Sequence, residues 1–74
     1  MGILSNISAK AALKAFQKIG YALDHQTGSH MILFHPQRPT LSLPNHKELA
    51  PGLLCALIRN SGISVDEFLN LLKK

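Results

Sequence analysis

The apolar residues of the first half of the chain change from helical spacing to strand-like spacing. After Ser8, a residue type that caps helices, apolar side chains recur every three or four positions up to Ile19, and Gly20 is a natural stop. The segments YALDHQ, HMILFH and TLSL then have the β-rich or alternating composition of strands, and the stretches TG and PQRP between them are typical of turns. The pattern predicts one helix followed by a three-stranded antiparallel meander.

Two further helices are predicted in the last third of the chain. Pro51 suits a first helical position, and the apolar stripe behind it ends at Gly62. Ser64 and Glu67 match a capping box. The apolar stripe that follows has helical spacing and comprises Val65, Phe68, Leu69 and Leu72. The order α-β-β-β-α-α predicts an α+β fold in which helices cover one face of the sheet.

Length and composition indicate one small domain over residues 1–74, with its core at about 8–62 and a C-terminal helix at about 65–73. A chain of this size buries only about 60–65% of the surface of the unfolded state, so its core is thin. No apolar run approaches the roughly 20 residues of a membrane helix, and the start does not match a signal peptide. The single cysteine, Cys55, excludes an internal disulfide. We therefore expect a cytoplasmic protein without membrane contact.

The net positive charge of the chain indicates which class of molecule it could bind. The formal net charge is +4 and the isoelectric point is about 9.7, which favours polyanions through counterion release. Lys10, Lys14 and Lys18 are spaced four residues apart, so they line one face of the first predicted helix. This row is either an ordinary solvated face or a stripe that contacts phosphates.

The residues that could perform chemistry are few. The four histidines and Cys55 do not have the close spacing of a metal site, and neither a cofactor nor a metal is expected. Ser29 and His30 are adjacent, so on a strand they would point to opposite faces and could not form a nucleophile–base pair. His30 itself follows a flexible corner and opens a strand, so it can be both exposed and held. Its imidazole could take a proton from an RNA 2′-hydroxyl or protonate a departing 5′-oxygen, or it could be a bystander.

Three segments, GYALDHQTGSHMILFHP, LSLPNHKELAPGLL and LIRNSGIS, occur in an order that resembles the HicA family of small bacterial and archaeal toxins. The resemblance implies a fold like the double-stranded-RNA-binding domain, endoribonuclease activity on mRNA, and neutralisation by a HicB-type antitoxin. It identifies His30, after Gly-Ser, as the active histidine and Gly28 as the glycine of the turn. Met31 stands where many members of the family have a second histidine.

The resemblance also implies roles for further residues. Gly28 and Ser29 would shape the site around a catalytic His30, and His46 is a possible second participant. Basic residues that could contact RNA phosphates are Lys10, Lys14, Lys47 and Arg59. The expected partners are mRNA and the antitoxin, with no DNA contact by this chain alone.

Strand periodicity separates the side chains of the predicted second strand into two sets. We expect Met31 and Leu33 to face the core and Ile32 and Phe34 to lie outside beside His30, where an antitoxin would cover them. Two other functions stay open on the sequence. One is a non-catalytic module that binds double-stranded RNA, and the other is an inactive protein-interaction domain of the same fold.

Overall fold

A computed structural model describes residues 4–73 and contains three helices and three strands. In chain order these are α1 (Ala9–Gln17), β1 (Ala22–Thr27), β2 (His30–Phe34), β3 (Leu41–Pro44), α2 (Pro51–Ser61) and α3 (Val65–Lys73). The predicted α+β class and the order α-β-β-β-α-α are confirmed. Within residues 4–73, no helix is long and apolar enough to cross a membrane.

The three strands form one antiparallel sheet in the order β1-β2-β3, so β2 is central. At one end of the sheet His30 lies between Thr27 on β1 and Pro44 on β3. The pairing of β1 with β2 shifts by one residue between Leu23 and His25, so β1 contains a β-bulge. The bulge lies on an edge strand of which every residue is exposed.

One face of the sheet packs against the helices. Met31 and Leu33 are buried, whereas Ile32 is half-buried and Phe34 is 51% exposed, which confirms the predicted orientation of this strand. The helices contribute Phe16 and Phe68, whose ring centroids are 5.1 Å apart in the core. The second face of the sheet therefore carries His30, Ile32 and Phe34, and no helix within residues 4–73 lies above it.

The helix ends use the residues that the sequence indicated. The Oγ atom of Ser8 accepts a hydrogen bond from the backbone N–H of Ala11 at 3.1 Å. Ser64 and Glu67 form the predicted capping box, because each side chain accepts from the backbone N–H of the other at 3.1 Å. Gly62 ends α2 with φ of 91°, a left-handed conformation that glycine adopts without strain.

His35, directly after β2, forms a hydrogen bond to the segment between α1 and β1. Its Nε2 lies 2.9 Å from the carbonyl oxygen of Ile19, and its Nδ1 accepts from the N–H of Gln37 at 2.9 Å. Because the carbonyl can only accept and the amide can only donate, the ring proton is on Nε2. Its ring packs edge-on against Tyr21, with the centroids 4.9 Å apart. His35 thus has a structural position at the opposite end of β2 from His30.

Arg38 lies in the connection between β2 and β3 and links this end of the sheet to α2. Its guanidinium donates to the carbonyl oxygen of Ser61 at the C-terminal end of α2, where a positive charge is favourable. The Tyr21 hydroxyl donates to the carbonyl of Pro39 at 2.8 Å. Burial raises the pKa of the Tyr21 phenol, and the charge of Arg38 opposes this effect.

The contact between Gly20 and His35 predicts the effect of a substitution. Gly20 has φ of 105°, and a Cβ atom built on it would lie 2.7 Å from Nε2 of His35. Gly20→Ala should therefore destabilise the domain by about 1–3 kcal/mol, through backbone strain and displacement of the ring. The free energy of unfolding from a denaturant titration measures this.

Gly52→Ala is the matched control. Gly52 lies in the first turn of α2, and a Cβ atom there would meet nothing within 4 Å. This substitution should leave the stability unchanged or raise it by up to about 1 kcal/mol, because alanine favours helix. Equal losses in the two variants would contradict the role given to the Gly20–His35 contact.

Candidate active site

The turn between β1 and β2 determines where His30 lies. Thr27 and His30 are paired across a loop of two residues, Gly28 and Ser29. Gly28 has φ of 54°, and a glycine with positive φ at the first loop position is what a type II′ hairpin turn requires. A Cβ atom at Gly28 would meet nothing within 4 Å, so the glycine serves the backbone conformation and not a close approach. The turn therefore holds His30 at the first position of a central strand.

The segment after β3 packs against this turn through backbone hydrogen bonds. The N–H of Asn45 donates to the carbonyl oxygen of Ser29 at 2.6 Å. The next residue, His46, accepts on its carbonyl oxygen from the N–H of Ala9 at 3.0 Å. The start of α1, the turn before β2 and the segment after β3 are thereby joined. His46 comes close to His30 through the backbone although the two are sixteen positions apart in sequence.

Two of the predicted basic residues lie beside this junction. A shallow recess of about 230 Å³ is lined by Ser8, Lys10, Asn45, His46 and Lys47. The side chains of Lys10 and Lys47 are exposed, as is that of His46. The recess thus collects two cations and an imidazole next to the turn that carries His30.

Lys14 and Arg59 lie farther away. Lys14 is one turn along α1 from Lys10 and lines a second groove of about 580 Å³ between α1 and α3. Lys18 also lines this groove and donates to the carbonyl oxygen of Leu71 at 2.7 Å. Arg59 is exposed in the last turn of α2, near the Ser61 carbonyl that Arg38 contacts. It is therefore at the opposite end of the sheet from His30.

The His30 ring is exposed and has no hydrogen-bond partner within residues 4–73. This differs from His35, whose two ring nitrogens are both engaged. Cys55 is half-buried on α2. In the described part of the chain, no three His, Cys, Asp or Glu side chains lie together in a way that could hold a metal ion. This end of the sheet thus carries an exposed imidazole, and the recess near its turn carries cationic side chains.

One pair of polar side chains was not expected from the sequence. Nδ1 of His25 lies 2.7 Å from Oδ2 of Asp24, although neighbours on a regular strand point to opposite faces. The β-bulge in β1 makes the pairing possible. The sequence contains the Asp-His dipeptide, but alternation alone does not indicate where a strand is bulged.

Comparison with known proteins supplies the family. The profile of the family described as HicA toxin of bacterial toxin-antitoxin matches residues 9–63, from the start of α1 to just after α2. The chain belongs to the HicA toxin family. A comparison with individual curated proteins gives no match. In this HicA chain the matched span includes the turn, His30, His46 and the lysines of the recess, so the family assignment and the candidate site concern the same residues.

Proposed function

We propose that this HicA protein is the toxin of a type II toxin–antitoxin system and acts as a metal-independent endoribonuclease on mRNA, with His30 as its general acid or base. The observation that carries the proposal is the exposed, unpartnered imidazole of His30, held by a glycine turn that bonds through Ser29 to Asn45, a residue of the recess with Lys10 and Lys47. Membership of the family gives the biological setting. Gly28 and Ser29 shape the site in this proposal.

Cleavage of RNA by this arrangement requires only proton transfers. The RNA 2′-oxygen attacks the neighbouring phosphorus, a bond to the 2′-oxygen forms, and the bond to the 5′-oxygen breaks. The attacking hydroxyl loses a proton and the departing oxygen gains one, so the products are a 2′,3′-cyclic phosphate and a free 5′-hydroxyl. A held imidazole near neutral pH can act at either step.

The basic side chains account for RNA binding in this proposal. Lys10 and Lys47 border the recess that Asn45 joins to the turn before His30, and they would contact phosphates that flank the cleavage point. His46 lines the same recess and would act as a second participant by contacting the RNA there. Lys14 extends the positive surface along α1. Arg59 would contact a more distant part of the RNA.

His30→Ala should abolish growth arrest and reduce RNA cleavage by about 10²–10⁴-fold, the usual contribution of a positioned acid or base. The fold should be retained, with stability changed by less than about 1 kcal/mol, because truncation of an exposed side chain leaves no cavity. Cleavage of a labelled RNA, measured with and without excess chelator, provides the readout. Chelator should have no effect.

His46→Ala should retain more activity than His30→Ala in the same assay, because His46 has a supporting role. Folding of each variant is checked by its circular dichroism spectrum. Near wild-type cleavage by folded His30→Ala would remove the catalytic assignment. A folded wild-type protein that neither cleaves RNA nor arrests growth would favour the inactive interaction domain instead.

Lys10→Ala and Lys47→Ala should each weaken RNA binding and lower the slope of log affinity against log salt by about 0.7–1, since each removes one phosphate contact. Binding of a labelled RNA over a series of salt concentrations measures the slope. Lys73→Ala, on the exposed last turn of α3, is the matched control and should leave the slope unchanged. If all three variants behave alike, binding depends on net charge and not on the recess.

The same proposal assigns the exposed sheet face to the antitoxin. Ile32 and Phe34 form an apolar patch on the face that carries His30, and Phe34 is 51% exposed. An antitoxin that covered this patch would occlude the imidazole at the same time. A HicB-type antitoxin is the partner that we propose, through burial of Phe34 as an anchor.

Phe34→Glu should weaken the complex with a HicB-type antitoxin by about 2 kcal/mol or more, because it places a charge in the proposed interface. Titration calorimetry measures the affinity. Asn60→Glu introduces the same charge at an exposed position of α2, on the other side of the sheet. This control variant should bind the antitoxin with wild-type affinity. Unchanged affinity of folded Phe34→Glu would exclude this face as the interface.

A further inference from the structure

The β-bulge in β1 is centred on Asp24, close to the turn that leads to His30. β1 pairs Leu23 with Leu33 and His25 with Ile32, so Asp24 is the extra residue on its strand. A bulge re-aims side chains, and bulges are frequent next to active sites. Here it brings the Asp24 carboxylate to within 2.7 Å of the neighbouring imidazole, a contact that regular alternation would prevent.

The contact with Asp24 determines how the His25 ring is presented. The carboxylate oxygen lies at hydrogen-bond distance from Nδ1, so Nδ1 carries a proton and donates it to Asp24 when that acid is ionised. Nε2 is the nitrogen that remains for other chemistry, and it has no partner within residues 4–73. A carboxylate that holds one nitrogen of a histidine while the other transfers protons is a recurrent device in catalysis.

His25 lies on the same face of the sheet as His30. Its partner across the strands is Ile32, and the partner of His30 is Thr27, so the two histidines are diagonal neighbours on adjacent strands. Diagonal positions are about 7–8 Å apart between Cα atoms, within the reach of long or aromatic side chains. Both side chains are exposed on the sheet face that is left uncovered by the helices of the described part of the chain. A phosphodiester could therefore contact both imidazoles at once.

We propose that His25, positioned by Asp24, is a second catalytic residue and the proton-transfer partner of His30. The inference rests on the function proposed above. One imidazole accepts the proton of the 2′-hydroxyl as the bond from that oxygen to phosphorus forms. The other donates its proton to the 5′-oxygen as the bond from phosphorus to that oxygen breaks. Each turnover leaves one ring protonated and the other deprotonated, and exchange with water restores both.

His46 is the competing candidate for this role, and it lies on the other flank of His30. It follows β3, whereas His25 is on β1, and β2 separates the two strands. His46 lines the recess with Lys10 and Lys47, a setting suited to phosphate contact. In the described part of the chain no carboxylate contacts its ring, whereas Asp24 orients that of His25. The arrangement thus favours His25 for proton transfer and His46 for binding.

The test compares the wild-type chain with His25→Ala, Asp24→Asn and His30→Ala in single-turnover cleavage of one labelled RNA. His25→Ala should lower the rate by about 10²-fold or more with little change in RNA affinity. Asp24→Asn, which removes the orienting charge, should lower the rate without loss of affinity, and by much less than the roughly 10⁴-fold seen for a buried triad aspartate, because this pair is exposed to solvent. The rate of the wild type should rise and fall with pH, and His25→Ala should lose one of the two limbs.

Gln26→Ala is the matched control. Gln26 is an exposed residue of the same edge strand, but its partner is Met31, so it lies on the opposite face. The Gln26→Ala variant should cleave RNA at the wild-type rate. The thermal unfolding midpoints of all variants should show that they are folded.

Two results would overturn the catalytic role of His25 and leave the proposed function of the protein intact. The first is cleavage by folded His25→Ala within about threefold of the wild-type rate, while His30→Ala is inactive. The second is a slower His25→Ala that keeps both limbs of the pH profile, which would make His25 a binding residue only. If the wild type cleaves no RNA, or His30→Ala cleaves as fast as the wild type, the proposed function itself fails and the inference fails with it.

Discussion

Within residues 4–73, helices cover one face of the sheet and leave the other exposed, and this arrangement organises the molecule. A sheet of three short strands needs a hydrophobic face that it can bury, and here the helices bury one side. Because side chains alternate along β2, burial of Met31 and Leu33 leaves His30, Ile32 and Phe34 on the other side. A shift of one residue in this strand would place the imidazole in the core and expose the leucine. The exposed position of His30 is thus a consequence of how the core is filled.

Much of the fold could be predicted because its signals are local. The cap at Ser8, the capping box at Ser64 and the glycine at the end of α2 are each determined by a few neighbouring residues, and the structure contains all three. Strand β1 was predicted one residue too early, at Tyr21. Tyr21 has strand propensity, but it is buried against Phe16 and His35 instead of joining the ladder.

The candidate site was predictable only in part, because its assembly is non-local. The glycine turn before His30 is visible in the sequence. The hydrogen bond from Asn45 to Ser29 is not, since backbone amides that meet across the fold leave no mark on composition. The separation of Arg59 from His30 is also not visible in the sequence. It arises because Arg59 lies in the last turn of α2, which runs from Pro51 to Ser61. The bulge at Asp24 also escaped prediction, because it breaks the alternation on which strand assignment depends.

Strand β1 has a further consequence for the behaviour of the chain in a crowded cell. It is an edge strand with all six residues exposed, including Leu23 at 42%, and such edges invite pairing with other chains. An irregular edge is a poor template for that pairing, because the extra residue interrupts the row of free N–H and C=O groups. The Asp24–His25 pair adds polar side chains at the same point. The irregularity beside His25 therefore also makes β1 a poorer template for extension of the sheet by another chain.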